Sequence, residues 1–166
     1  MMIDSFTVQA ERPEHADAIE ALHEASFGPG RFARAASLLR EGVAHDPALS
    51  FVATAGLTLI GSVRLTPIFI GDRPAILLGP LAVVEGWKGR GAGKSLMRTS
   101  LAAAAEAGHS VVLLVGDEPY YGPFGFVRLE PYRITLPAPV DPARVLVCPL
   151  AEGSLDGLGG AARRAS

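Results

Sequence analysis

Leu81-Ala82-Val83-Val84-Glu85-Gly86-Trp87-Lys88-Gly89-Arg90-Gly91-Ala92-Gly93-Lys94-Ser95-Leu96 is the stretch of this sequence that decides the fold. An apolar strand pattern runs into four glycines, and the glycines run into a helix. Without a Cβ, Gly86, Gly89, Gly91 and Gly93 let the backbone turn tightly and lie against a ligand. The first amides of the following helix have no internal acceptor, and the positive end of the helix dipole stands behind them. Arg90 and Lys94 add mobile positive charge. The junction reads as a cradle for a diphosphate.

On the N-terminal side, residues 6–10 form a weak first strand. A helix then opens at Arg12-Pro13-Glu14, with Ile19, Leu22, His23 and Ser26 at helical spacing. Phe27-Gly28-Pro29-Gly30 stops it, and a second helix is expected over residues 31–40. Residues 49–54, 58–69 and 74–84 are rich in β-branched and aliphatic side chains and are separated by Ala55-Gly56 and Gly71-Asp72-Arg73, which suits an antiparallel meander. On the C-terminal side, residues 91–107 place Leu96, Met97, Ser100, Leu101 and Ala104 on one helical face, and Gly108 follows as a C-terminal cap. The continuous apolar run 111–115 suits a central strand covered on both faces. A helical turn over 118–122 and closing strands over 126–129 and 144–147 complete the pattern. Residues 150–166 carry Gly153, Gly157, Gly159 and Gly160 with little periodicity and read as a loose tail.

The chain has 166 residues, which fits one domain over residues 1–149 followed by that tail. It is 49% hydrophobic and 19% charged with a formal charge of -2, so no global basic field draws it to nucleic acid or an anionic bilayer. The single Cys148 rules out an internal disulfide framework, and no Cys or His spacing suggests a metal. Neither a signal peptide nor a membrane-spanning run is legible, and the expected location is the cytoplasm.

The order of elements resembles the GNAT superfamily of acetyl-CoA-dependent N-acetyltransferases, and two motifs carry the likeness. The family's diphosphate signature, Gln/Arg-x-x-Gly-x-Gly/Ala, is matched by Lys88-Gly89-Arg90-Gly91-Ala92-Gly93, with lysine in place of the usual first residue. A second signature, Tyr-x-x-x-Gly-Phe, is matched by Tyr121-Gly122-Pro123-Phe124-Gly125-Phe126. The resemblance spans roughly residues 5–148 and looks like a predicted acetyltransferase subgroup of unassigned substrate. It implies an α/β (α+β) fold with a mixed, mostly antiparallel sheet of about seven strands flanked by about four helices, its fourth and fifth strands splayed.

The resemblance further implies acetyl-CoA as cosubstrate. Leu81, Ala82 and Val83 would meet its pantetheine arm and thioester, and Lys88, Gly89, Arg90, Gly91, Ala92, Gly93, Lys94 and Ser95 its diphosphate. The acyl chain would lie between the splayed strands among Leu81, Val83, Leu113 and Val115. Tyr121 would be the general acid. The acceptor would be a primary amine of a small molecule or peptide, entering near residues 27–32 and Tyr132, and the protein a monomer or homodimer.

An alkylamine with a pKa of about 10.4 must lose a proton before it attacks a thioester. The strand positions where the family often keeps a base are Leu77, Leu78 and Gly79, so relayed water is expected to serve, with Glu85, Asp117 and Glu118 as candidates to orient it or to attract a cationic amine. A phenol at about 10 and a thiol at about 8.5 differ by about 1.5 units, a small gap for proton donation to the leaving sulfur. Tyr120 is the rival to Tyr121, Trp87 reads as a packing residue, and the four histidines show no close pair. Two other readings remain: an acyl-CoA sensor that keeps the cradle without the acid, and a P-loop nucleotidase suggested by Gly93-Lys94-Ser95. The latter would need a glycine at position 88.

Overall fold

The computed structural model describes residues 5–165. Its strands are β1 (Thr7–Ala10), β2 (Phe51–Ala55), β3 (Thr58–Ile70), β4 (Arg73–Val83), β5 (Val111–Val115), β6 (Val127–Arg128), β7 (Ile134–Thr135), β8 (Val145–Pro149) and β9 (Gly160–Arg164). The helices are α1 (Ala16–Phe27), α2 (Ala35–Arg40), α3 (Ala92–Glu106) and α4 (Glu118–Tyr121). The central path runs β1-β2-β3-β4-β5-β8-β6, and β7 and β9 lie off it. Every neighbouring pair on that path is antiparallel except β4 with β5. This is the mixed sheet that the order of elements predicts, with seven strands on its path and four α-helices. It lacks the run of parallel strands that a P-loop nucleotidase uses.

Alternation along the central strands divides the core. Ile76, Leu78, Val112 and Leu114 face α3 and pack with Leu96, Met97, Leu101 and Ala104. Leu77, Val111 and Leu113 face the other way and pack with Leu39 of α2, Leu158 and Ala162. Both faces of β5 are therefore covered, which explains its unbroken apolar run. Within β3, Arg64 interrupts this pattern between the buried Val63 and Leu65.

Two expectations need correction. Residues 31–40 do not form one helix: a 3-10 turn over Pro29–Ala33 ends at an extended Arg34, and only then does α2 begin. Residues 150–165 are not a loose tail. β9 pairs antiparallel with β3, opposing Ile70 with Ala162 and Ile68 with Arg164, and parallel with β7. Leu158 is buried in the core, and Arg164 Nη1 donates to the Glu41 carbonyl just past α2 at 3.2 Å. Leu158→Ala is accordingly expected to cost about 2–5 kcal/mol, read as a lowered midpoint in urea unfolding, whereas removal of a loose tail would leave the midpoint unmoved.

Candidate active site

The site begins where β4 leaves β5. The two strands share only Ile76↔Val112 and Leu77↔Leu113, while β5 pairs with β8 along its whole length. Past these residues the strands part and leave a gap toward their C-terminal ends. The divergence coincides with an irregularity in the β3–β4 ladder, where Leu78 opposes Leu65 but Leu81 opposes Val63, so that Gly79 and Pro80 bulge. Beyond it the Val84 amide donates to Ile60 O at 2.8 Å. Backbone polar groups alternate along an antiparallel strand, so those of Ala82 turn toward β3 and those of Leu81 and Val83 turn into the gap. Of the three strand positions, Leu81 and Val83 offer main-chain groups to a ligand there and Ala82 does not.

The glycine loop closes one side of this gap. Gly89 and Gly91 have φ values of +81° and +92°, which bulkier residues adopt only with strain. The left-handed Gly91 is the N-terminal boundary of α3, and the first amide of that helix with an internal acceptor is Ser95, donating to Gly91 O at 3.0 Å. The amides of Gly89, Gly91, Ala92, Gly93 and Lys94 have no acceptor among the described residues, a row of unpaired donors of the kind that suits an anion. Lys88 pairs with Glu85 at 2.9 Å, Arg90 lies over the Trp87 ring, and Trp87 meets Phe6 edge-on. Trp87 is thus a packing residue. Gly93 sits at the corner of strand and loop: a Cβ there would lie 3.7 Å from Val83 Cγ2 and 2.9 Å from the Tyr120 hydroxyl.

On the opposite side, α4 places two adjacent tyrosines differently. The Tyr121 ring lies against the end of β5, where it fills the space that a Cβ on Gly116 would take, and Phe126 packs on it at 6.0 Å between centroids. Tyr120, edge-on to Tyr121 at 4.8 Å, instead reaches across to the start of α3. Neither hydroxyl has a hydrogen-bond partner among the described residues. Burial, then Tyr120 and Asp117, push the Tyr121 phenol up to about 12 against the opposing pull of Arg144; burial also raises Tyr120. In an alkaline absorbance titration at fixed protein concentration, native protein minus Tyr121→Phe should therefore show one phenol ionising about 2 pH units above the ordinary value. A difference transition near pH 10 would contradict this burial.

The carboxylates expected to guide water are engaged. Asp117 meets Arg144 at 3.3 Å, Glu118 meets Arg128 at 3.0 Å, and Glu85 holds Lys88. Cys148 is buried, which raises its thiol, and its Sγ lies 3.8 Å from the carbonyls of Phe124 and Pro149. It has none of the features of a nucleophile.

On the face opposite α3 lies a polar network that the spacing of its members along the chain does not announce. Buried Glu11 accepts from Arg64 Nε at 3.0 Å and Nη2 at 3.1 Å, and its Oε2 lies 2.9 Å from His45 Nε2. Glu20 bridges Arg64, Arg31 and His23 at 3.6–3.8 Å. Burial draws the His23 imidazole down to about 4, with Arg64, Arg40 and Arg31 adding to the effect and Glu20 opposing it, so the ring is neutral at pH 7. Its Nε2 is buried without a hydrogen-bond partner among the described residues. Arg64, a lone charge inside an apolar strand, was the one sequence signal of this network.

A parallel pair opening into a gap, main-chain groups turned into it, and a row of unpaired amides beside it make up the candidate site. The profile of the acetyltransferase (GNAT) family matches residues 16–126, and the chain belongs to that family. It is 30% identical over 156 residues to the uncharacterised N-acetyltransferase YhbS of Escherichia coli (strain K12), covering 92% of each chain. The crystal structure of Escherichia coli YhbS in complex with CoA superposes with a TM-score of 0.81 at 28% identity, over 96% of this chain and 89% of that one. A GNAT family acetyltransferase from Brucella melitensis in complex with acetyl-CoA gives a TM-score of 0.62 at 26% identity, over 92% and 99%. The family and the sheet topology together dispose of the P-loop reading. No helix among the described residues is long and apolar enough to cross a membrane.

Proposed function

We propose that the protein transfers the acetyl group of acetyl-CoA directly to a primary amine. One observation carries this reading: the unpaired amides at the start of α3 adjoin the strand whose Leu81 and Val83 turn their backbone outward, with Gly93 beside Val83. The amides of residues 89–94, with Arg90 and Lys94 nearby, would hold the diphosphate. Lys88 contributes charge without the planar fork of arginine, and Ser95 closes the first turn. The Val83 N–H is a fixed donor for the thioester oxygen as negative charge gathers on it.

Tyr121 faces the leaving sulfur in this reading. With its phenol pushed up to about 12, the gap to a thiol of about 8.5 widens to about 3.5 units. Tyr121 therefore acts chiefly as a hydrogen-bond donor that stabilises the departing thiolate, and it stays protonated throughout the working pH range. With Glu85, Asp117 and Glu118 each paired to a cation, water takes the amine proton. The amine approaches from the face opposite α3. There the segment between β6 and β8 encloses a cavity of about 460 Å³ lined by Leu129, Tyr132, Ile134, Leu136 and Val145 among others. Val145 is the β8 partner of Val115 at the mouth of the gap.

The test is release of free thiol from acetyl-CoA across a panel of amino acids, polyamines, aminoglycosides and peptide N-termini. Amine-dependent release is the expected result. Binding of acetyl-CoA with no release for any amine would overturn transfer in favour of a sensor.

A further inference from the structure

Arg40 is the last residue of α2, on the face of the sheet opposite α3. Its Nη1 lies 3.6 Å from where a Cβ on Gly79 would sit, so the guanidinium rests against the bulge at which β4 parts from β5. Every other arginine among the described residues has a carboxylate, a carbonyl or an aromatic ring beside it. Arg40 alone has none. It is half-buried, and the charge of Arg64 repels it. Burial first and Arg64 second pull its pKa down to about 10, so it remains a cation at neutral pH.

A half-buried cation without a counter-ion is costly unless a ligand supplies one. The neighbouring cations do not need that ligand: Arg64 is committed to Glu11 and Glu20, and Arg31 to Glu20 and the Gly28 carbonyl. Next to them stands neutral His23, whose buried Nε2 has no hydrogen-bond partner among the described residues and which feels Arg31, Arg40 and Arg64 together. The positive excess is thus local to the apex of the gap. We propose that the acceptor amine also carries a small oxyanion, most simply a carboxylate, and that the Arg40 guanidinium binds it. The planar fork of arginine suits two carboxylate oxygens at once. The amine of an amino acid held in this way would point along the gap toward Val83, on the side that the coenzyme arm leaves open. This inference rests on the acetyl transfer proposed above.

The experiment compares amines in matched pairs, each amino acid against its carboxamide, as kcat/KM per unit of free base, with 2-aminoethylphosphonate against β-alanine as a further arm. Native protein should prefer the carboxylate over the carboxamide by at least about tenfold. The phosphonate arm distinguishes phosphonate-type acceptors from carboxylates, and a preference for either oxyanion supports the inference. Arg40→Gln should bring the ratio close to one, and Arg40→Lys should restore part of it. Acetyl-CoA affinity by calorimetry, retained in both variants, shows that they fold. Native protein that acetylates neutral or cationic amines as well as anionic ones would overturn the role of Arg40 while leaving acetyl transfer intact. Should no amine be acetylated, a thermal shift of the CoA-loaded protein decides: stabilisation by N-acetyl amino acids but not by their carboxamides supports the oxyanion site, and no difference between the two overturns it.

Discussion

Tyr121→Phe is expected to lower kcat about 10- to 100-fold while KM for acetyl-CoA stays within about twofold. The substitution keeps the ring that fills the space left by Gly116 and packs on Phe126, so the end of β5 and the turn of α4 are undisturbed. In the proposed reaction what is lost is one donor to a sulfur that gains charge only as the bond to the acetyl carbon breaks, and an interaction confined to the transition state appears in kcat. A full general acid would sit at the upper end of the 10²–10⁴ range; a phenol at about 12 is a weaker proton source than one at 10, which places the expected loss lower. Tyr120→Phe removes a hydroxyl poised over Gly93, beside the proposed diphosphate cradle, and should act mainly on KM. The opposite pattern, with kcat falling for Tyr120→Phe and unchanged for Tyr121→Phe, would exchange the two roles.

The second large effect is on the cradle. Gly93→Val should weaken acetyl-CoA binding about 100-fold by calorimetry, with unfolding free energy changed by less than about 1 kcal/mol. Gly93 lies in the first turn of α3 without a positive φ, where valine is no worse a helix residue than glycine. Its side chain would fill the corner between Val83 Cγ2 and the Tyr120 hydroxyl and screen the amides behind it. Loss of about two hydrogen bonds to a charged group, at about 1.5 kcal/mol each, corresponds to about two orders of magnitude in affinity. Binding at native strength would show that the ligand does not lie along these amides.

These effects were legible in the sequence to different degrees. The helix after the loop was readable almost to the residue, because its apolar period, the glycine at its start and Gly108 at its end are all local signals. So was β5, whose unbroken apolar run has one structural explanation. The strand β9 was not, because its glycines serve a purpose that sequence does not display. A Cβ on Gly71 would lie 2.6 Å from Gly159 O, and one on Gly160 would lie 3.1 Å from Gly71 Cα. These residues let two backbones touch, and in a single sequence close approach and looseness look alike.

The site divides in the same way. The glycine loop and Tyr121, the candidates proposed here for the cradle and the donor to sulfur, each lie within one short motif. The alternation that aims Leu81 and Val83 into the gap while turning Ala82 away depends on the pairing of β4 with β3. Arg40 reaches Gly79 only because α2 folds over the bulge. In the network beside it, Glu20 and His23 come from α1, Arg64 from β3, and Glu11 and His45 from two loops, and periodicity reports nothing about their meeting.

The central claim is that the diphosphate of a CoA thioester rests on the main-chain amides of residues 89–94, with its acyl end at Val83. Titrating isotopically labelled protein with acetyl-CoA and following the backbone amides by NMR tests it most directly. The account predicts the largest shifts at Gly89, Gly91, Ala92, Gly93, Lys94 and Val83, saturating together. Saturable binding that leaves these amides unmoved, or that moves chiefly the residues around Leu129 and Tyr132, would contradict it.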